Sequence, residues 1–207
     1  MLTLALETST PRGGVALFRD RDLIFSESFT ADRSHSSQLF SVIERALAPD
    51  ALPEQIVVGL GPGSYAGVRI AIAAGIGISV ATGAELVGVP SIAGLDDGEY
   101  LAVGDARRGG YWLAHLRDGE FITGPAVLTR EELEDRMATA EGVPVFSSEE
   151  LGFAELEVRF PVVDRIGRLG VEGRGVWARG TLEPIYLREP HITVPKAIAD
   201  SRSKIDD

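Results

Sequence analysis

Residues 59–71 read Gly-Leu-Gly-Pro-Gly-Ser-Tyr-Ala-Gly-Val-Arg-Ile-Ala, a glycine-proline turn between the apolar run Ile56–Val58 and a long stretch with almost no polar face. Gly61, Pro62 and Gly63 set a tight turn, and Ser64 stands where a helix cap belongs. A strand, a glycine turn and a helix N-terminus together present unpaired backbone N–H groups, and such a terminus favours an anion. A plainly capped strand-to-helix connection reads equally well. Two common nucleotide motifs are excluded. A P-loop needs Lys followed by Ser or Thr, whereas Gly67 is followed by Val68 and Arg69; the glycines at 61, 63 and 67 are also one residue too widely spaced for a dinucleotide fingerprint.

Working outward, the expected helix over 64–82 has Gly67, Ala71, Gly75, Ser79 and Gly83 at spacing four, a ladder of small residues along one face. Val68, Ile72, Ile76 and Val80 form the neighbouring ridge, with Ile70 and Ile78 completing a helix apolar nearly all round, so both sides should be covered. One covering is the chain's own sheet and second lobe. The other is a partner, with Leu39, Ile43 and Leu47 of the preceding helix contributing. Two such helix pairs would make a four-helix bundle.

The strand before the turn has a counterpart at 2–7, followed by strands at 14–19 and 22–29 and a helix over 36–48 ended by Pro49 and Pro53. Strands at 55–60 and 86–89 flank the long helix. This order predicts an α/β fold with a mixed sheet. After the polar break Gly94–Gly98 the pattern restarts: strands at 100–105, 110–117 and 120–122, a helix over 130–138 and a strand at 143–146. The organisation is therefore an N-terminal lobe over 1–98, a C-terminal lobe over 99–195 and a flexible tail over 196–207, the two lobes being similar mixed sheets. No pattern stands out between 150 and 180.

The chain has 207 residues, 44% of them hydrophobic, no cysteine and a formal net charge of −11. Disulfides and thiolate chemistry are excluded, and most of the surface would repel a nucleic-acid backbone. The apolar stretch over 70–84 falls short of the roughly 20 residues a membrane span needs, and no leader pattern opens the chain. His35, His115 and His191 share no ligand spacing, so no metal site is expected. Glu7, Thr8 and Ser9 close the first strand, where an acid beside hydroxyls can hold a metal-nucleotide or form an ordinary turn; with Gly61 and Gly63 they are the candidate nucleotide-binding residues. Arg107 and Arg108 put two cations at a hairpin tip that can grip an anion or lie solvated.

Five segments, LALETST at 4–10, HSSQLFSVIERAL at 35–47, GLGPGSYAGVRIA at 59–71, DARRGGYW at 105–112 and EPIYLRE at 183–189, together resemble the TsaB (YeaZ) family. The resemblance implies an actin-like, Hsp70-like (RNase H-like) fold, a bacterial cytoplasmic location and a part in making threonylcarbamoyladenosine on tRNAs that read codons beginning with A. It also implies a complex with the catalytic subunit TsaD and the ATPase TsaE, with tRNA reached only through that complex and no membrane involved. The two N-terminal helices would bundle with TsaD, or with a second copy in a homodimer, so partner contacts are expected from Leu39, Ile43, Leu47, Gly67, Arg69, Ala71, Ile72, Gly75, Ile76 and Ser79. The metal-binding histidine pair of TsaD has no counterpart here, and Glu7 stands where the family usually has Asp. The expectation is a non-catalytic scaffold without an intrinsic cofactor, ATP and magnesium belonging to the complex interface. The alternative is a free-standing ATPase built on Glu7 and the Gly61–Gly63 turn.

Overall fold

The computed structural model describes residues 1–30, 35–47 and 52–187. The chain opens with β1 (Leu2–Glu7), β2 (Arg12–Arg19) and β3 (Asp22–Thr30), an antiparallel meander. Helix α1 (His35–Ala46) leads to β4 (Gln55–Gly59), which pairs parallel with β1, and α2 (Tyr65–Thr82) leads to β5 (Glu85–Val89), parallel to β4. A single 3-10 turn, Ser91–Gly94, hands over to β6 (Glu99–Arg107), β7 (Gly110–Arg117) and β8 (Glu120–Leu128), then α3 (Arg130–Thr139), β9 (Val145–Ser147) and β10 (Leu156–Val158). Helix α4 (Val163–Glu172) and β11 (Ala178–Arg179) follow.

The two sheets run β11-β5-β4-β1-β2-β3 and β10-β9-β6-β7-β8. Within each, a three-stranded meander is extended past its first strand by two parallel strands, which is the duplicated mixed-sheet lobe expected of the actin-like architecture. Strand alternation assigns the layers. Leu4, Leu6, Val15, Leu17, Ile56 and Val58 point to the face covered by α1 and α2. Ala5, Ala16, Phe18 and Val57 point the other way, into a core shared with Tyr100, Ala102, Trp112 and Ala114 of the second sheet. The outer face of that second sheet is closed by α3 through Leu133 and Met137.

Helix α4 occupies the middle layer. Val163, Ile166 and Leu169 enter the shared core, while Gly167 abuts Phe18 and Ala5, and Gly170 abuts Val57, so closely that a β-carbon at either would collide. Strand β11 then pairs antiparallel with β5. Residues 163–179 thus return to the first sheet, and the division at residue 98 marks where the second meander begins but not two independent units. Neither α4, β10 nor β11 was expected. One further boundary differs. Strand β8 continues through Gly124 and Pro125, tolerated because β8 is an edge strand with irregular register. Helix α3 starts with a capping box, Thr129 Oγ1 accepting from Glu132 N and the Glu132 carboxylate from Thr129 N. The expected tail from residue 196 and His191 lie outside the described residues, as does the expected end of α1 at residue 48.

Candidate functional site

The end of β1 and the turn that opens α2 are locked together by backbone-level contacts. Ser64 caps α2 by accepting from Gly67 N at 3.2 Å, and its own N–H donates to Ser9 O at 2.6 Å. Gly61 N donates to Ser91 Oγ at 2.9 Å, and Thr8 Oγ1 donates to Gly67 O at 2.7 Å. Gly63 and Gly67 press on this segment so tightly that a β-carbon would strike Ser9 O and Thr8 O respectively. Glu7, Thr8, Ser9, Gly61 and Gly63 therefore do converge. The donors of Gly61, Ser64 and Gly67, however, are spent inside the chain.

Glu7 is fully buried. Its Oε1 accepts from Ser9 N, while Oε2 has no hydrogen-bond partner among the described residues; Gly59 leaves room for the carboxyl, which any β-carbon there would overlap. Burial pushes the Glu7 carboxyl above its ordinary range, and the neighbouring Ser9 and Ser91 offset only part of this. Ser9 Oγ is likewise buried without a hydrogen-bond partner among the described residues.

Between the lobes lies a cleft of about 730 Å³, lined by Ser9, Ser64 and Tyr65 on one side and Asp105, Arg107 and Trp112 on the other. Glu7 is not among its lining residues. Arg107 pairs with Asp105 at 3.0 Å, and Asp105 N donates to Glu149 Oε1 at 2.8 Å, so the cation is already neutralised and Glu149 adds negative charge. A magnesium-nucleotide needs an acid facing the cleft and cations free to meet phosphates. The residues present do not fit one: the acid is sealed beneath Gly59, and the cleft carries no surplus of positive charge.

The α1–α2 layer is a different kind of surface. Gly67, Ala71 and Gly75 of the small-residue ladder face the chain's own sheet, where a β-carbon at Gly75 would stand 3.0 Å from Val58 Cγ2. Leu39, Ile43 and Ile72 are buried beside them, Leu47 is half-buried, and Ser79 Oγ turns back to Ala84 O at 2.7 Å. The close approach that Gly67, Ala71 and Gly75 permit is used by the chain's own first sheet, which leaves those three buried in this fold. Of the expected partner positions, Arg69 and Ile76 face outward. They belong to a stripe, Ala66, Arg69, Ala73, Ile76, Gly77 and Val80, exposed along α2, with Val80 83% and Ile76 43% accessible and Phe40 of α1 exposed in the same layer. Spacing gave this stripe no priority over the ladder. The sequence signal for it was Arg69, the single charge in the helix, since a lone guanidinium marks the side facing water. Alone among the described helices, α2 is long and apolar enough to cross a membrane, but its inner face is packed on the sheet.

The family model described as TsaD, tRNA N6-adenosine threonylcarbamoyltransferase, matches residues 29–107. The chain is 33% identical over 201 residues to an uncharacterized protein of Mycobacterium tuberculosis, covering 90% of this chain and 92% of that one. It is 31% identical over 161 residues to the tRNA threonylcarbamoyladenosine biosynthesis protein TsaB of Escherichia coli, covering 69% and 68%. A Pseudomonas aeruginosa crystal structure, described as similar to peptidase YEAZ, superposes with a TM-score of 0.69 at 25% identity, covering 90% of this chain and 99% of that one. YeaZ from the same organism gives a TM-score of 0.62 at 24% identity, covering 83% and 90%.

Proposed function

Since the chain belongs to the TsaB family, we propose that it serves threonylcarbamoyladenosine formation on tRNA as a non-catalytic scaffold, on whose outward α1–α2 face the catalytic subunit TsaD docks. The observation that carries this reading is the exposed apolar stripe of α2 ending in Val80, at 83% accessible the most exposed large hydrophobic among the described residues. A second copy would cover the same stripe in isolation, so homodimer and heterodimer compete for one face. TsaE and tRNA join through TsaD in the cytoplasm, and ATP with magnesium is held at the complex interface and not by this chain. The free-standing ATPase loses its support with Glu7, which is buried and is not among the residues lining the cleft.

The test is copurification with TsaD and reconstituted tRNA modification using Val80→Asp and Ile76→Asp. Both side chains are exposed, so the monomer stays folded while TsaD binding and tRNA modification fall together. Retention of full binding by both variants overturns the docking face. Turnover of ATP by the chain alone overturns the scaffold.

A further inference from the structure

Arg69 is the only charged residue of α2, and it emerges in the middle of the apolar stripe. Its guanidinium lies 5.0 Å from the Tyr65 ring centroid, and Nη1 donates to the Tyr65 hydroxyl one turn earlier in the helix. Tyr65 in turn rests against Tyr186, with ring centroids 6.1 Å apart. The arginine is therefore braced on a pair of aromatic rings, which reduces the side-chain freedom it loses on docking. Among the described residues its Nε and Nη2 edge makes no hydrogen bond and no carboxylate pairs with it.

Burying that stripe buries the guanidinium as well. A charge taken out of water without a counter-ion strongly opposes association, whereas a carboxylate meeting the free edge in two parallel bonds removes that penalty. The stripe itself contains no acid, and the one carboxylate of α1 is Glu44. Laying α2 of one copy along α2 of another brings no α2 acid to Arg69, which leaves Glu44 of α1 as the carboxylate to be tested.

Building on the docking reading above, we propose that Arg69, braced by Tyr65, is the specificity element of this face: it selects a partner, TsaD, that presents an Asp or Glu within its own apolar docking surface, and it discriminates against a second copy of the chain. The guanidinium calls for a carboxylate that α2 itself does not supply. An apolar surface alone would accept either.

The experiment compares Arg69→Met, Arg69→Lys, Glu44→Gln and Val80→Asp for affinity to purified TsaD and for self-association by sedimentation, after thermal melts show each variant folded. Arg69→Met weakens TsaD binding roughly 30-fold or more, strengthens self-association, and flattens the salt dependence of the heterodimer; Arg69→Lys recovers part of the loss, and Glu44→Gln changes neither equilibrium. Val80→Asp abolishes both associations. If Val80→Asp abolishes binding while Arg69→Met stays within threefold of the parent, the docking face stands and the arginine's role is overturned. If Arg69→Met and Glu44→Gln weaken self-association as much as TsaD binding, the second copy supplies the carboxylate and the discrimination is overturned. Full TsaD binding by Val80→Asp overturns the docking reading itself.

Discussion

Gly67 and Thr8 are bound face to face: Thr8 Oγ1 donates to Gly67 O at 2.7 Å, and the Thr8 carbonyl oxygen fills the space a β-carbon at residue 67 would need. This contact pins the first turn of α2 to the end of β1. The obstacle is backbone, not a flexible side-chain tip, so it has no cheap way to yield. Gly67→Ala is expected to cost about 3 kcal/mol of unfolding free energy, measured by urea denaturation at unchanged m-value.

Gly77, on the opposite side of the same helix, has nothing within 4 Å of a would-be β-carbon. Here glycine only adds freedom to the unfolded chain. Gly77→Ala should stabilise the protein by about 0.7 kcal/mol, raising the midpoint in the same assay. Opposite signs for the two glycines would establish which face of α2 the sheet occupies, and equal signs would refute the packing described.

Glu7 makes stability depend on pH in a defined direction. Its native pKa is raised by burial, so the folded state holds the proton more tightly than the unfolded state. The stabilisation is complete below the unfolded carboxyl value of about 4.3 and is lost as pH climbs toward the native value. Glu7→Gln cannot ionise, so denaturation midpoints of parent and variant should converge near pH 4 and separate with rising pH, the variant becoming the more stable. Parallel curves from pH 4 to 9 would show that the carboxyl does not change its ionisation cost on folding.

Ile166 is fully buried in the layer between the sheets, where its side chain occupies the space over Gly94. Ile166→Ala removes packing on both sides and should cost about 3 kcal/mol. Because the site lies across the sheet from α2, TsaD affinity at a temperature where the variant remains folded should be unchanged. A selective loss of binding would place the partner surface elsewhere.

The duplicated meander was legible in the sequence because alternation and turn residues such as Asp118-Gly119 are local signals. The same holds for Ser64, whose capping role follows from position alone. Helix α4 was not legible: its apolar face is spelled Val163, Ile166, Gly167, Gly170, and glycines chosen for close approach to Phe18 and Val57 read as breakers in the chain. The ladder of α2 shows the opposite failure. Periodicity established that Gly67, Ala71 and Gly75 share a face and invite close contact, yet a sheet and a partner make the same demand on that face. Only burial separates them, and it assigns the ladder to the sheet and the stripe through Arg69 to the outside. Glu7 was correctly placed beside the turn, but the missing side chain of Gly59, which admits its carboxyl into the interior, comes from a strand distant in sequence.

The return of α4 to the first sheet has a consequence for biogenesis. The inner face formed by Ala5, Ala16, Phe18 and Val57 is translated early, whereas the helix that seals it is translated only after the whole second meander. Until then a nascent chain displays an uncovered apolar sheet, and the first half cannot mature as a separate piece. Synthesis of the segment around Ile166 is therefore the step at which this face of the first sheet can be closed.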